Sequence, residues 1–173
     1  VTGVQTCALP IYHPSYCINA AAYTAVDKAE SEAELAMLVN GQSVGELATC
    51  CREYNCRLLH ISTDYVFDGE SEVPYREDDP VSPVNLYGRS KLHGEVLARQ
   101  NCPDSVIVRT SWVYSSHGHN FVKTMLRLFQ EKKEIKVVDD QIGSPTYAAD
   151  LAKALLQIIQ HPKWHPGVFH YSG

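Results

Sequence analysis

Arg57-Leu58-Leu59-His60-Ile61-Ser62-Thr63-Asp64-Tyr65-Val66-Phe67-Asp68-Gly69 is a short apolar run that gives way at once to hydroxyl and carboxyl side chains. That pattern reads as a buried parallel strand with polar groups at its carboxyl end. Ligands of open α/β sheets bind just beyond such strand ends, so Ser62, Thr63 and Asp64 stand where chemistry is expected. The same residue types also build turns by bonding their own backbone, and the segment alone supports both readings equally.

Outward from this strand the chain alternates. Tyr16 to Ala21 reads as a preceding strand and Ser43 to Tyr54 as the helix between them, a βαβ order. Right-handed crossovers make the sheet parallel and place helices on its faces, so an α/β fold with a doubly wound parallel sheet is predicted. Further on, Val84 to Gln100 is a predicted helix, Ser105 to Arg109 a strand, and Ile135 to Val138 a short strand. Asn120 to Lys132 is a predicted amphipathic helix, capped by Asn120, with Phe121, Met125, Leu128 and Phe129 on its apolar side. Ala149 to Gln160 is helical with Leu151, Leu155, Ile158 and Ile159 inward, and Gly167 to Ser172 reads as a strand. The acidic, proline-containing loop from Asp68 to Pro83 is too polar for a core and suits a cover over a site.

Composition narrows the function. With 173 residues and mixed usage the chain is globular, one domain or most of one. A net charge of -5 without a Lys/Arg-rich run argues against nucleic acid or an anionic membrane as partner. No apolar stretch reaches bilayer-spanning length. Apart from Cys7, the cysteines are Cys17, Cys50, Cys51, Cys56 and Cys102, with no CxxC pair. Reduced thiols in a cytoplasmic protein are expected. The eight histidines are scattered, so no metal site is assigned.

Within Val84 to Gln100, Tyr87 and Lys91 lie one turn apart on one helix face. An ammonium beside a phenol favours phenolate, so the pair reads as an acid/base unit in which Lys91 lowers the Tyr87 pKa. Alone, the pair also fits a solvated helix face.

Four segments in order carry a resemblance: Asn19-Ala20-Ala21-Ala22-Tyr23-Thr24-Ala25-Val26-Asp27, Ser62 to Gly69, Tyr87-Gly88-Arg89-Ser90-Lys91 and Arg109-Thr110-Ser111-Trp112-Val113-Tyr114. Together they resemble the extended short-chain dehydrogenase/reductase family. Asn120-Phe121-Val122 and Asp139-Asp140-Gln141-Ile142-Gly143-Ser144-Pro145-Thr146 look like its branch that reduces the 4-keto group of dTDP-linked deoxysugars. The resemblance implies a Rossmann-like sheet with part of a small substrate-binding domain, a dTDP-sugar substrate, and NADPH or NADH as cofactor. It implies Tyr87 as proton donor to the sugar oxygen, Lys91 as tuner of Tyr87 and holder of the nicotinamide ribose, and Thr63 as donor to the reacting carbonyl. It further implies Asp64 and Trp112 against the substrate, and Ala21, Ala22 and Thr24 against the cofactor. Mg2+ dependence is not assigned, and a homodimer of the full-length protein is compatible with the family.

Each assignment has a structural alternative: Trp112 as core, Ala20 to Ala22 as tight packing, Arg109 as partner of a carboxylate, and Asp139-Asp140 as a solvated turn. At the level of function, another nucleotide-sugar epimerase or dehydratase of the family is the nearest alternative. Trp112 and the segment from Asp140 to Thr146 favour the reductase branch. A non-catalytic relative, the regulatory subunit of methionine adenosyltransferase, keeps the fold to bind a partner.

Residues 1–11 match the translation of a common short-read library adapter codon for codon, and are expected to be an assembly scar outside the core. The native chain is expected to run from about Tyr12 and to be cut at both ends. Residues 12–173 are then a partial NAD(P)-binding domain, with substrate-binding segments within about 115–173. No Gly-x-x-Gly-x-x-Gly turn occurs in it, and the residue choosing NAD or NADP is expected to lie outside it, so the fragment alone is expected to be incompetent.

Overall fold

The structure, a computed structural model, describes residues 9–138 and 141–173. In chain order its elements are β1 (Tyr16–Asn19), α1 (Val26–Ala29), α2 (Ala33–Met37) and a π-helical turn (Leu38–Gln42). Next come α3 (Ser43–Glu53), β2 (Arg57–Thr63), a 3-10 turn (Asp64–Val66), α4 (Leu86–Asn101), β3 (Val106–Thr110) and β4 (Val113–Tyr114). The chain closes with α5 (Phe121–Glu131), β5 (Thr146–Tyr147), α6 (Ala148–Gln160) and β6 (Gly167–His170). The described residues fall into two compact units, one comprising those up to Arg109 with Pro162–His170 and the other those within Thr110–His161 with Tyr171–Gly173.

The first unit holds a four-stranded sheet in the order β1-β2-β3-β6. β1 pairs parallel with β2, Tyr16 opposite Arg57 and Asn19 opposite His60, and β3 pairs parallel with β6. The predicted α/β class and parallel sheet are therefore present. β2 is central because Leu58, Leu59 and His60 are fully buried, as a strand covered on both faces requires. Leu58 packs in one cluster with Val44, Leu47, Ala48 and Cys51 of α3 and Ala98 of α4. β1 stops at Asn19 rather than Ala21 because the Asn19 carboxamide oxygen accepts the Ala21 N–H at 3.2 Å. The loop after β2 is tied down: Tyr75 stacks on Phe67 with centroids 4.2 Å apart, and Glu77 accepts the His170 N–H at 3.2 Å, satisfying an amide of the outer strand β6.

Two expectations are corrected. Ile135 to Val138 forms no strand: Val137 and Val138 are exposed, and among the described residues no strand pairs with this segment to supply a ladder. α5 forms where predicted, with Asn120 accepting the Lys123 N–H at 3.0 Å as its cap. Its apolar side stands open, with Phe121 61% and Phe129 66% exposed. Leu9, assigned to a segment outside the core, is 5% exposed and sits in the Leu58 cluster. An apolar side chain beside uncovered apolar surface buries there whatever its origin. Residues 1–8 and the Asp139-Asp140 pair lie outside the described residues.

Candidate active site

The site is built where β2 ends and α4 begins. Thr63 closes β2, and its hydroxyl caps the 3-10 turn by accepting the Tyr65 N–H at 3.3 Å while donating to Asp64 Oδ1 at 3.0 Å. The turn chemistry and the functional placement read from this segment thus coexist. α4 starts two residues later than predicted, because Asn85 is its cap and accepts the Gly88 N–H at 2.7 Å. That start sets Tyr87 in the first turn, its ring edge-on to Tyr65 with centroids 5.6 Å apart. The Tyr87 hydroxyl lies within hydrogen-bonding reach of Thr63. One turn on, Lys91 is 2% exposed and donates from Nζ to the Ile61 carbonyl of β2 at 2.7 Å. The structure therefore brings Thr63, Asp64, Tyr87 and Lys91 together.

The electrostatics differ from the simple expectation. Burial raises the Tyr87 pKa above its usual value, with Asp64 and Tyr65 adding to the rise and the Thr63 hydrogen bond opposing it. The expected fall of the Tyr87 pKa is therefore replaced by a rise, because burial of the phenol outweighs the groups that favour its charged form. Burial pushes the Lys91 pKa down to about 8 against the pull of Glu95. Burial first, then Lys91, holds His60 well below the usual histidine range, so this ring is neutral. Asp64 is raised by burial, its hydrogen bond from Thr63 acting the other way. Thr63 has a single O–H proton, and the one given to Asp64 is not simultaneously available to Tyr87 or a carbonyl.

Ala20, Ala21 and Thr24 are exposed in the irregular segment following β1, and Ala22 is half-buried. Small side chains there leave the backbone open to a flat ring. Lys91 keeps N–H donors beyond the one given to Ile61, so the donor set fits a ribose. Among the described residues no group of His, Cys, Asp and Glu is arranged to hold a metal ion.

Sequence reasoning missed the residue that ties these parts together. Asn40, fully buried in the π-helical turn, accepts the Tyr23 N–H at 2.8 Å and donates to the Tyr23 carbonyl at 3.0 Å. It also donates to Ser90 Oγ at 2.9 Å, and Ser90 donates to the Tyr87 carbonyl at 2.7 Å. A carboxamide inside Leu38-Val39-Asn40-Gly41, an apolar helical stretch, was the available signal. Irregular π geometry of this kind recurs at functional sites. Asn19 plays a smaller part, donating to His60 Nδ1 at 3.1 Å.

Two assignments stand apart from this cluster. Arg109 meets Glu95 in a buried bidentate pair, Nε to Oε1 at 3.0 Å and Nη2 to Oε2 at 2.8 Å, which is its structural alternative. Trp112 belongs to the second unit. It is 41% exposed with φ 44, lies over Gly143, where an added Cβ would sit 2.8 Å from its ring, and accepts the Thr146 N–H at 3.2 Å. Simple core burial does not describe it. A non-glycine residue at that φ is costly and clusters at functional sites.

The family described as RmlD substrate binding domain matches residues 6–173. The spore coat polysaccharide biosynthesis protein SpsK of Bacillus subtilis is 49% identical over 161 residues, 93% of this chain and 56% of that protein. The dTDP-4-dehydrorhamnose reductase of Salmonella typhimurium is 50% identical over 147 residues, 85% of this chain and 49% of that protein. The crystal structure of dTDP-4-dehydrorhamnose reductase from Bacillus anthracis in complex with NADP superposes with a TM-score of 0.95 at 40% identity, covering 100% of this chain and 62% of that one. The chain thus spans about half the length of the relatives it matches.

Proposed function

Because the chain belongs to the RmlD substrate binding domain family, we propose that it is the catalytic portion of a cytoplasmic enzyme reducing dTDP-4-dehydro-L-rhamnose to dTDP-L-rhamnose with NADPH or NADH. The observation that carries this reading is the convergence of the Tyr87 hydroxyl, Thr63 and Asp64 at the end of β2, with Lys91 anchored one turn along the same helix. Relatives named dTDP-4-dehydrorhamnose reductase, and a neighbour bound to NADP, support the choice of substrate and cofactor.

When bound, the nicotinamide supplies the hydride that reaches C4 of the sugar. In this proposal Tyr87, protonated well above neutral pH because burial raises its pKa, gives its proton to the C4 oxygen. Thr63 rotates its single proton from Asp64 to the same oxygen and stabilises the charge developing there. Asp64 then accepts a hydroxyl of the sugar ring. Lys91 donates its remaining N–H groups to the nicotinamide ribose and favours the tyrosinate left after proton transfer. Ala21, Ala22 and Thr24 receive the cofactor on open backbone and one hydroxyl. Trp112 offers an exposed indole to the nucleotide-sugar.

The test is turnover by the protein extended to the length of its relatives, supplied with NADPH or NADH and a panel of dTDP- and UDP-linked 4-keto and 4-hydroxy sugars. Formation of dTDP-L-rhamnose with one cofactor oxidised per product is expected. Epimerisation or dehydration without net cofactor oxidation would assign the chain to another activity of the fold, and absence of any turnover would favour a binding role.

A further inference from the structure

The 141–146 segment has no part in the proposed chemistry, yet within the second unit it holds Trp112 from several sides. Thr146 donates its N–H to the Trp112 carbonyl at 3.2 Å, and Ser111 donates its hydroxyl to the Ser144 carbonyl at 2.7 Å. The β4–β5 register sets Val113 opposite Thr146, and the Thr110 hydroxyl donates to that of Thr146 at 3.3 Å. These bonds flank the residue with φ 44 and keep a bulky side chain in a backbone conformation it would otherwise leave. Gly143 adds a contact of another kind. A Cβ there would stand 2.8 Å from Cε2, 2.9 Å from Cζ2 and 3.3 Å from Cδ2 of the indole. Cε2 and Cδ2 are the ring-fusion carbons, reached together only over the face of the ring. The Gly143 backbone therefore covers one indole face, and the 41% exposure of Trp112 lies on the other face and the rim. Backbone freedom does not explain this glycine, because its φ is outside the positive range that Gly69, Gly118 and Gly167 occupy. The close approach to the indole does.

We propose that Gly143, with Ser111, is a positioning residue for substrate binding: it lets the 141–146 segment lie flat on one face of the Trp112 indole, so that the other face meets the nucleotide-sugar in one orientation. This rests on the reading of Trp112 as a substrate contact. An aromatic wall fixed beforehand loses little freedom when a ligand packs on it, and a wall pushed out of line forfeits that advantage. Any side chain at 143 would move the indole or part the segment from it, since the atoms in the way belong to a rigid ring and not to the tip of a flexible chain.

The first measurement uses the 173-residue chain carrying Trp164→Phe, which leaves Trp112 as its one indole. Gly143→Ala in that background should increase acrylamide quenching of the Trp112 emission, as the ring leaves the backbone that covers it. Unchanged or reduced quenching would overturn the proposal. The second measurement uses the protein extended to the length of its relatives, with dTDP-4-dehydro-L-rhamnose. Gly143→Ala should raise KM about tenfold while kcat changes by less than about threefold, the signature of lost uniform binding. Ser111→Ala removes a hydroxyl and adds nothing; it should move KM the same way, and it decides the question if Gly143→Ala does not fold. In a Trp112→Ala background Gly143→Ala should raise KM no further, whereas a merely structural glycine would act in both backgrounds. Extended wild type inactive on this sugar would overturn the functional reading and the assigned ligand together. An active wild type whose KM is unmoved by these variants, or moved equally with and without the indole, would overturn this proposal alone.

Discussion

Burial governs the titration of both Tyr87 and Lys91, and it acts in opposite directions on stability. Lys91 is held at about 8 in the folded protein against an ordinary 10.5, so the unfolded chain binds the extra proton between those values. The cost of burying the ammonium is complete below about pH 8 and disappears as pH rises past the unfolded value. Stability contributed by this residue therefore increases with pH across that window. The raised thiols of Cys50, Cys56 and Cys102 do the reverse above about pH 9, because the folded state keeps protons that the unfolded chain loses. Their effect is common to wild type and Lys91→Met and cancels in the difference. Urea unfolding at pH 7 and pH 10 should show wild type gaining on Lys91→Met by up to about 3 kcal/mol. A difference that is flat or falls with pH would contradict the buried, charge-disfavouring environment of Lys91.

Asn40 couples elements that are distant in sequence, since one carboxamide grips both backbone groups of Tyr23 and reaches α4 through Ser90. Asn40→Ala leaves the Tyr23 N–H and carbonyl and the Ser90 hydroxyl short of partners, which should cost about 2–4 kcal/mol in urea unfolding. Gly94→Ala attacks the same joint from the other side, because an added Cβ would meet the Asn40 carbonyl oxygen. It should destabilise by about 1–3 kcal/mol, whereas an open helix glycine changed to alanine would stabilise. A neutral outcome for both variants would show that this joint is not under constraint. β2, α4 and β3 were legible from sequence because periodicity and burial agree there, and so was the placement of Thr63 at a strand end with Tyr87 and Lys91 one turn apart on a helix. The helical stretch from Val26 to Gln42 was not, as it is broken into short pieces with no side-chain caps. β4 and β5 are two residues each, below what alternation resolves. The Asn40 joint was hidden because its partners lie 17 and 50 residues away, a pairing that only the fold creates. The depressed Lys91 and raised Tyr87 were missed for a related reason: spacing places two groups on one face but does not reveal how deeply that face is buried.

At the scale of the molecule, the 173 residues carry the proposed proton-transfer machinery without a Gly-x-x-Gly-x-x-Gly turn, and they span about half the length of the matched relatives. A backbone cradle for pyrophosphate is a large part of dinucleotide affinity. Calorimetric titration of this chain with NADPH should therefore show no saturable binding near ~1 μM, the region of about -8 kcal/mol. Tight stoichiometric binding would mean that these residues alone hold the cofactor. In the protein extended to the relatives' length, Tyr87→Phe removes one hydroxyl from a ring packed on Tyr65 and should leave the fold intact. The decisive measurement is NADPH oxidation by that protein and its Tyr87→Phe variant at saturating dTDP-4-dehydro-L-rhamnose. Turnover should fall by roughly 10²–10⁴-fold, as for a lost general acid, while near-normal turnover in the variant would contradict the role of Tyr87 as proton donor.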